Sequence, residues 1–327
     1  MKRYSFFFVN VMIMHLLLAC APSQEHEGVK TEFKFIESYR QIHLLVNEKH
    51  FTSYLFDTTL MKPVLYPVCS PSEIQVQRQF PLRRVKGESK DHSHHVGVFF
   101  TYGSKGEVNG HNFWAGQKGK TRINHEQVLK KEIQGNQATL QTRSNWIGKE
   151  GDVVLVEDRT MIFSGDQSER AIDFTFSMKA REEPVVFDDT KEGLFAIRVA
   201  DWLNEKDGTG TYLNSRGEKT AQQVWGKRAK WIRLEGEHNG KTIGIIIMNH
   251  PRSVNYPTYW HARDYGLLSA DPLGQYAFQK ARGMEDPEPL NYEIPAGDSG
   301  LFKFKMIIYE GERTADQINK AFEDYAS

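Results

Sequence analysis

Ile172-Asp173-Phe174-Thr175-Phe176-Ser177-Met178 alternates apolar and polar side chains without a break. Neighbouring side chains of an extended chain point to opposite faces, so this run buries one face and wets the other, as a half-buried β-strand does. Weaker versions of the pattern surround it. Phe33, Phe35 and Ile36 start the series, Ile42, Leu44 and Val46 continue it, and Tyr54-Leu55-Phe56 follows a turn at Asn47-Glu48-Lys49. Ala138-Leu140-Thr142, Val153–Val156 and Met161-Ile162-Phe163 precede the central run. Phe195–Ala200, a fully apolar Ile243–Met248, and Phe302, Phe304 and Met306 against Lys303 and Lys305 come after it. Turn signals at Gly151-Asp152, Ser164-Gly165-Asp166, Asn239-Gly240 and Ala296-Gly297-Asp298 separate these runs. The stretch 63–68 holds Pro63 and Pro67, which cannot donate to a ladder, and is expected at a sheet edge or an irregular crossing.

A single helix is expected, over 314–326. Thr314 with Gln317 three residues later makes a capping box, and Ile318, Ala321, Phe322 and Tyr325 recur at helical spacing. The reading is therefore all-β: a large antiparallel β-sandwich, supersandwich-like, with a short C-terminal helix, residues 33–327 forming one domain.

The N-terminus predicts export. Lys2-Arg3 precedes an apolar run, Phe6 to Leu18, too short to span a bilayer. Leu17-Leu18-Ala19-Cys20 resembles a bacterial lipobox, in which the cysteine becomes the lipidated first residue; an ordinary cleavable signal with an incidental cysteine is the alternative. Residues 1–19 are thus read as a lipoprotein signal peptide, 20–32 as a tether, and the protein as a periplasmic or cell-surface lipoprotein held to the membrane through Cys20. The other cysteine, Cys69, then has no internal disulfide partner and is expected to be a small buried hydrophobe. The whole chain has no formal net charge, and losing Lys2 and Arg3 leaves about −2. Nothing in that balance points to nucleic acid, and no later stretch approaches the ~20 apolar residues of a membrane helix.

Two clusters carry the chemistry. Asp91-His92-Ser93-His94-His95 is followed by Asn109-Gly110-His111-Asn112-Phe113-Trp114. Far downstream stand Asn249-His250-Pro251 and Tyr259-Trp260-His261-Ala262-Arg263-Asp264-Tyr265-Gly266. In an extended segment His92 and His94 share a face and His95 points away. The pair could ligate a divalent metal, since imidazoles suit Zn, Cu, Fe and Ni. It could equally serve as a general acid or base near neutral pH, with Asp91 fixing a tautomer. Trp260 and Tyr265 offer faces on which a pyranose stacks, and Arg263 and His261 offer partners for its oxygens. Trp225 and Trp231 are read as packing. Glu192, just ahead of the strand at Phe195, is the candidate partner carboxylate. There is no Gly-rich phosphate loop, Gly-x-Ser-x-Gly elbow, His-Glu-x-x-His or Cys-x-x-Cys, which removes the commonest routes to nucleotide, serine-hydrolase and thiol chemistry.

Lys62-Pro63-Val64-Leu65-Tyr66-Pro67, Asp91-His92-Ser93-His94-His95, Asn109-Gly110, Asn112-Phe113-Trp114, Lys191-Glu192-Gly193-Leu194, Val224-Trp225-Gly226-Lys227, His250-Pro251 and Trp260–Gly266 together resemble the bacterial family labelled "methane oxygenase PmoA", a domain of unknown function common in exported proteins. The resemblance covers about Phe33 to Tyr309. Ser93 stands where that family often has Pro, and Val96 where it often has Arg. The label does not suit the chain, because a membrane oxygenase subunit needs several ~20-residue apolar helices. The resemblance implies a place among carbohydrate-processing proteins, and a supersandwich similar to the aldose-epimerase (galactose mutarotase-like) group, whose sites use His and a carboxylate on a sugar.

The expectation is a carbohydrate-active enzyme acting on a sugar or modified glycoside by hydrolysis, elimination or epimerisation. His94, His95, Glu192 and His250 are its candidate catalytic residues. His111, Trp114, Trp260, His261, Arg263 and Tyr265 are its candidate binding residues. No cofactor is required. The alternatives are a metal-dependent hydrolase or oxygenase, with His92 and His94 as ligands, and a non-catalytic glycan-binding surface lipoprotein.

Overall fold

The alternating run at 172–178 is the middle of a strand, Glu169–Ala180, and its Ile172, Phe174, Phe176 and Met178 are all buried. That strand lies inside an antiparallel sheet of eight, in the order Thr211–Asn214, Trp231–His238, Lys241–Asn249, Ser299–Glu310, Glu169–Ala180, Val153–Gly165, Gln137–Ile147, Arg122–Gln134. A second sheet of eight runs Phe33–Ser38, Gln41–Val46, Lys49–Leu55, Val64–Val68, Val98–Phe100, Phe195–Arg198, Leu267–Asp271, Tyr259–Ala262, again antiparallel throughout. The sheets face each other through aromatic rings. Phe100 of the second sheet stacks on Phe176 of the first at 3.8 Å, and Phe195 on Phe304 at 5.0 Å. Interdigitated inner faces of this kind make a β-sandwich core.

The computed structural model describes Met1 and residues 31–116 and 120–327. Apart from Met1, the leader read at 1–19, the lipidation site read at Cys20 and the tether up to Lys30 lie outside the described residues. Thr31 and Glu32, read as the end of the tether, already belong to the fold: Thr31 Oγ1 donates to the Gly165 carbonyl at 3.2 Å, and the Glu32 amide to Asn47 Oδ1 at 2.8 Å. Residues from Thr31 to Ser327 form one compact unit.

The two outer faces of the sandwich are dressed differently. The expected helix forms over Ala315–Ala326, with the Thr314–Gln317 capping box in place. Its Ile318 and Phe322 pack with Trp231, Ile246, Met248, Ile307 and Tyr309 on the outside of the first sheet. On the outside of the second sheet a separate apolar group forms from Val64, Val96, Phe99, Trp114, Ala196 and Leu267, with Tyr265 against it.

The 63–68 stretch departs from expectation. Val64–Val68 is an interior strand, between Lys49–Leu55 and Val98–Phe100. The proline is tolerated because pairing with Val98–Phe100 ends at Leu65, and the register with Lys49–Leu55 shifts between Thr52 and Tyr54. Pro67 therefore sits where a donor is not needed. Two further short helices, Ala221–Val224 and Gln275–Ala281, were not expected from the sequence. Cys69 is buried and free, and burial pushes its thiol up to about 12.

Candidate functional site

The site is built on the outer face of the second sheet by the period-2 alternation of its strands. In Tyr259–Ala262, Trp260 and Ala262 point into the sandwich core, so His261 between them points out. In Val98–Phe100, Val98 and Phe100 join the core and Phe99 faces outward. The loop carrying His92, His94 and His95 folds over that outward face. With Trp114, Lys191, Glu192, His261, Arg263 and Tyr265 these histidines line one cavity of about 310 Å3. The two distant sequence clusters thus meet at one cavity.

The histidine loop is not extended. His92 takes φ of 40°, and the His95 amide donates to the His92 carbonyl at 2.9 Å, which closes a turn. All three imidazoles therefore lie together, with ring centres 4.4 Å apart for His94 and His95 and 4.9 Å for the parallel pair His92 and His95. Tyr265, His92, His95 and Phe99 form a continuous stack, at successive spacings of 5.2, 4.9 and 5.9 Å. The expected division of the cluster into two faces is corrected accordingly.

A buried arginine holds the loop in that shape. Arg78 donates from Nη1 to the Asp91 carbonyl at 2.8 Å and to Asp91 Oδ1 at 2.5 Å, and from Nη2 to the carbonyls of His92 (2.9 Å) and His95 (3.4 Å). Arg198 donates to the same Asp91 Oδ1 at 2.8 Å and lies over the Tyr265 ring at 4.5 Å. Lys62, also buried, donates to the carbonyls of His94 (3.1 Å) and Trp114 (3.2 Å). None of these three cations was singled out as a site residue from the sequence. They sit in separate segments, and only the tertiary fold brings them behind the loop.

The protonation states follow from these surroundings. Burial, helped by the charge of Lys62, lowers His94 to about 4, so its imidazole is neutral at neutral pH. Burial pushes His95 far down as well, with His94 and His92 adding to it. Both ring nitrogens of His95 are buried without a partner among the described residues. Burial lowers His261 to about 4 despite the attraction of Glu192. Its Nδ1–H donates to the Lys191 carbonyl at 2.6 Å, which leaves Nε2 to accept from Arg263 Nε at 2.9 Å. Burial of Glu192 opposes its charge, but the hydrogen bond from Lys191 Nζ at 2.6 Å, with the charges of Lys191 and Arg263, outweighs it. The carboxyl is held below its usual range and stays ionised.

Three expected site residues are elsewhere. Trp260 is fully buried in the sandwich, its Nε1 donating to the Ala229 carbonyl at 3.0 Å, because it alternates with His261 and must face the other way. His250 accepts from the Arg252 amide at Nδ1 (3.0 Å) and packs edge-on against Tyr325 of the C-terminal helix, 5.0 Å between centres, on the far side of the sandwich. His111 accepts from the Lys149 amide at 3.2 Å and is not among the residues lining the cavity. Trp114 does line it, but is almost wholly buried and meets His95 edge-on at 5.5 Å.

The residues do not suit a resident metal. Among the described residues no group of three or more His, Cys, Asp or Glu side chains is placed to hold an ion. Arg263 also forms part of the wall of a larger neighbouring cleft of about 750 Å3, with Trp225, Glu205, Gln222, Asp264 and Arg282. Trp225, read from sequence as packing, lies half-buried under the Arg263 guanidinium at 5.3 Å, and its indole Nε1 has no partner among the described residues.

Among solved structures, a GH36 alpha-galactosidase from Geobacillus stearothermophilus, in complex with raffinose, is 10% identical, with a TM-score of 0.40 over 86% of this chain and 41% of its own. An alpha-galactosidase from Lactobacillus brevis is 9% identical, TM-score 0.40, over 89% of this chain and 41% of its own. This chain therefore spans less than half the length of those enzymes. A galactose mutarotase-like protein from Clostridium acetobutylicum is 9% identical, TM-score 0.44, over 86% of this chain and 99% of its own. At that distance the likenesses assign no activity. No curated protein matches in sequence. The motifs resembling the methane oxygenase label fall within a match whose description carries no such label: residues 41–323 fit the family of unknown function DUF6807, and the chain belongs to that family.

Proposed function

We propose that the cavity binds a sugar or modified glycoside and that His94 and Glu192 move protons on it, making the protein a carbohydrate-active enzyme. The observation that carries this reading is a neutral imidazole with no hydrogen-bond partner among the described residues, His94, sharing one 310 Å3 cavity with an ionised carboxylate and the Arg263 guanidinium. A neutral imidazole and a carboxylate are both bases, and a fixed guanidinium stabilises negative charge as it develops. That set suits proton abstraction next to a carbonyl or carboxyl group, as in elimination or epimerisation. Hydrolysis by a carboxylate pair needs two acids flanking the bond, and Glu192 is the one carboxylate among the lining residues. His95 backs the site as part of the ring stack, and His261 orients Arg263. His250 takes no part.

The domain is placed outside the cytoplasm, anchored through Cys20, on the strength of the sequence of residues 1–20. Labelling with a radioactive fatty acid checks this: incorporation in the natural protein and none in Cys20→Ser is expected.

The function is tested by incubating the protein with a panel of glycosides, 3-keto-sugars and uronides and reading products by mass. Turnover should fall by roughly 10²–10⁴-fold in His94→Gln and in Glu192→Gln, with thermal unfolding unchanged. Full turnover in both variants removes the proton-transfer roles. Sugar binding with no product on prolonged incubation replaces the enzyme by a glycan-binding lipoprotein.

A further inference from the structure

We infer that the ligand of the histidine cavity is an anionic sugar, bearing a carboxylate or a sulfate ester, and that Arg263 is the direct partner of its charge. This rests on the reading that the cavity takes a sugar at all.

Positive charge around the cavity exceeds the negative charge that meets it. Lys62, Arg78 and Arg198 stand behind the cavity, each 3% exposed or less. Arg78 and Arg198 share a single carboxylate oxygen, Asp91 Oδ1. Lys62 meets only carbonyl oxygens and the Phe99 ring. In the wall itself, Lys191 pairs with Glu192, while Arg263 has no carboxylate within ion-pair distance among the described residues. The other acids nearby, Glu88 and Asp201, bond neutral donors, and among the described residues neither is in ion-pair contact with a buried arginine. Glu88 accepts from the amides of Gln79 and Phe80, and Asp201 from Ser89.

The surplus shows as unmade hydrogen bonds. Arg78 Nε, Arg198 Nε and Nη1, and both nitrogens of His95 are buried without partners among the described residues. Native proteins rarely leave buried charges and donors in this state unless something else completes them. An anion in the cavity would lie in the field of Arg78, Arg198 and Arg263, lower the cost of each, and favour the charged form of Lys62. Arg263 is the one placed to touch it. Its Nε is fixed by His261 and one face by Trp225, which leaves the terminal nitrogens as a two-pronged donor. A carboxylate or sulfate matches that fork, and a hydroxyl does not.

Matched methyl hexosides, methyl hexuronides and hexoside 6-sulfates, in gluco, galacto and manno configuration, are titrated calorimetrically into the full-length protein in detergent. At least one anionic member should bind about tenfold or more tightly than its neutral counterpart, with the advantage shrinking as salt is raised. A preference for the uronides names a carboxylate, and one for the sulfates names the ester. Arg263→Gln should collapse the ratio of anionic to neutral affinity, and Arg263→Lys should restore part of it. Neutral sugars that bind as tightly in every pair, or a preference that survives Arg263→Gln, overturn the inference while leaving the sugar reading intact. A panel in which nothing binds overturns both.

Discussion

His261 accepts a hydrogen bond at Nε2 from the Nε of Arg263, 2.9 Å away, while its Nδ1–H is committed to the Lys191 carbonyl at 2.6 Å. Both ring nitrogens are thereby occupied, so this histidine orients a guanidinium and has no free nitrogen for a substrate. Removing it frees Arg263 to swing toward the open cleft beside Trp225. His261→Ala is expected to raise KM more than it lowers kcat. A lost hydrogen bond to a charged group is worth about 1.5–3 kcal/mol, or roughly 10- to 150-fold in kcat/KM. Steady-state kinetics on whichever panel substrate turns over gives the split. A collapse of kcat with KM unchanged would instead make His261 a proton-transfer residue.

The acid side of the pH profile separates His94 from an ordinary histidine. Burial and Lys62 lower its pKa to about 4, and Glu192 is held below the usual carboxylate range. Both bases are thus in their working form at pH 5, and kcat/KM should fall only near pH 4. Stability moves in the same direction. Between an unfolded value near 6.5 and a folded value near 4, the unfolded chain takes up a proton that the folded chain refuses, so stability drops as pH falls through that window. His261, lowered to about 4 by burial, adds to the same trend. A limb in kcat/KM between pH 6 and 7 removes His94 as the base.

What could be read from the sequence, and what could not, divides along physical lines. Alternation at 172–178 and the capping box at Thr314 depend on local spacing, and both are found in place. The edge strand Arg122–Gln134 escaped notice because it is nearly all exposed. Lys130, Lys131 and Glu132 guard it as charges guard an unpaired edge, and an exposed strand has no apolar alternation to read. Trp260 and His261 were grouped in one pocket by adjacency, although neighbours on a strand face opposite ways. Applied to that tetrad, the same period-2 rule would have sent Trp260 to the core. Lys62, Arg78 and Arg198 had no such signal, since a long-range clamp leaves no spacing in the chain.

Arg78 is expected to be the most sensitive of the clamp residues. It alone ties together the carbonyls of Asp91, His92 and His95 and shares the Asp91 carboxylate with Arg198. Arg78→Ala strands those acceptors and leaves Arg198 beside a void. The Asp91 side chain is 40% exposed, so solvent screens that pair, and the loss, chiefly from the stranded carbonyls, is expected at about 1–3 kcal/mol. Arg78→Lys should recover little, because a single ammonium cannot span the four acceptors. Urea unfolding measures the loss. A change under about 1 kcal/mol in Arg78→Ala would show that the loop keeps its turn without the clamp.

Lys62 allows the surplus of positive charge to be measured without any ligand. Its ammonium is buried against two carbonyls and an aromatic face, with no carboxylate in ion-pair contact among the described residues, and burial lowers it to about 7. An unfolded lysine titrates near 10.4. Between those two values the unfolded chain holds a proton that the folded chain has released, so raising the pH stabilises the fold. The slope reaches at most about 1.4 kcal/mol per pH unit. Lys62→Met has nothing to titrate there and should lack that rise. Urea midpoints for the two proteins, followed from about pH 7 to pH 10, are therefore expected to diverge in favour of the natural chain. Parallel curves would mean that Lys62 keeps its proton at an ordinary pKa, which requires a counter-charge near Nζ and removes it from the uncompensated set around the cavity.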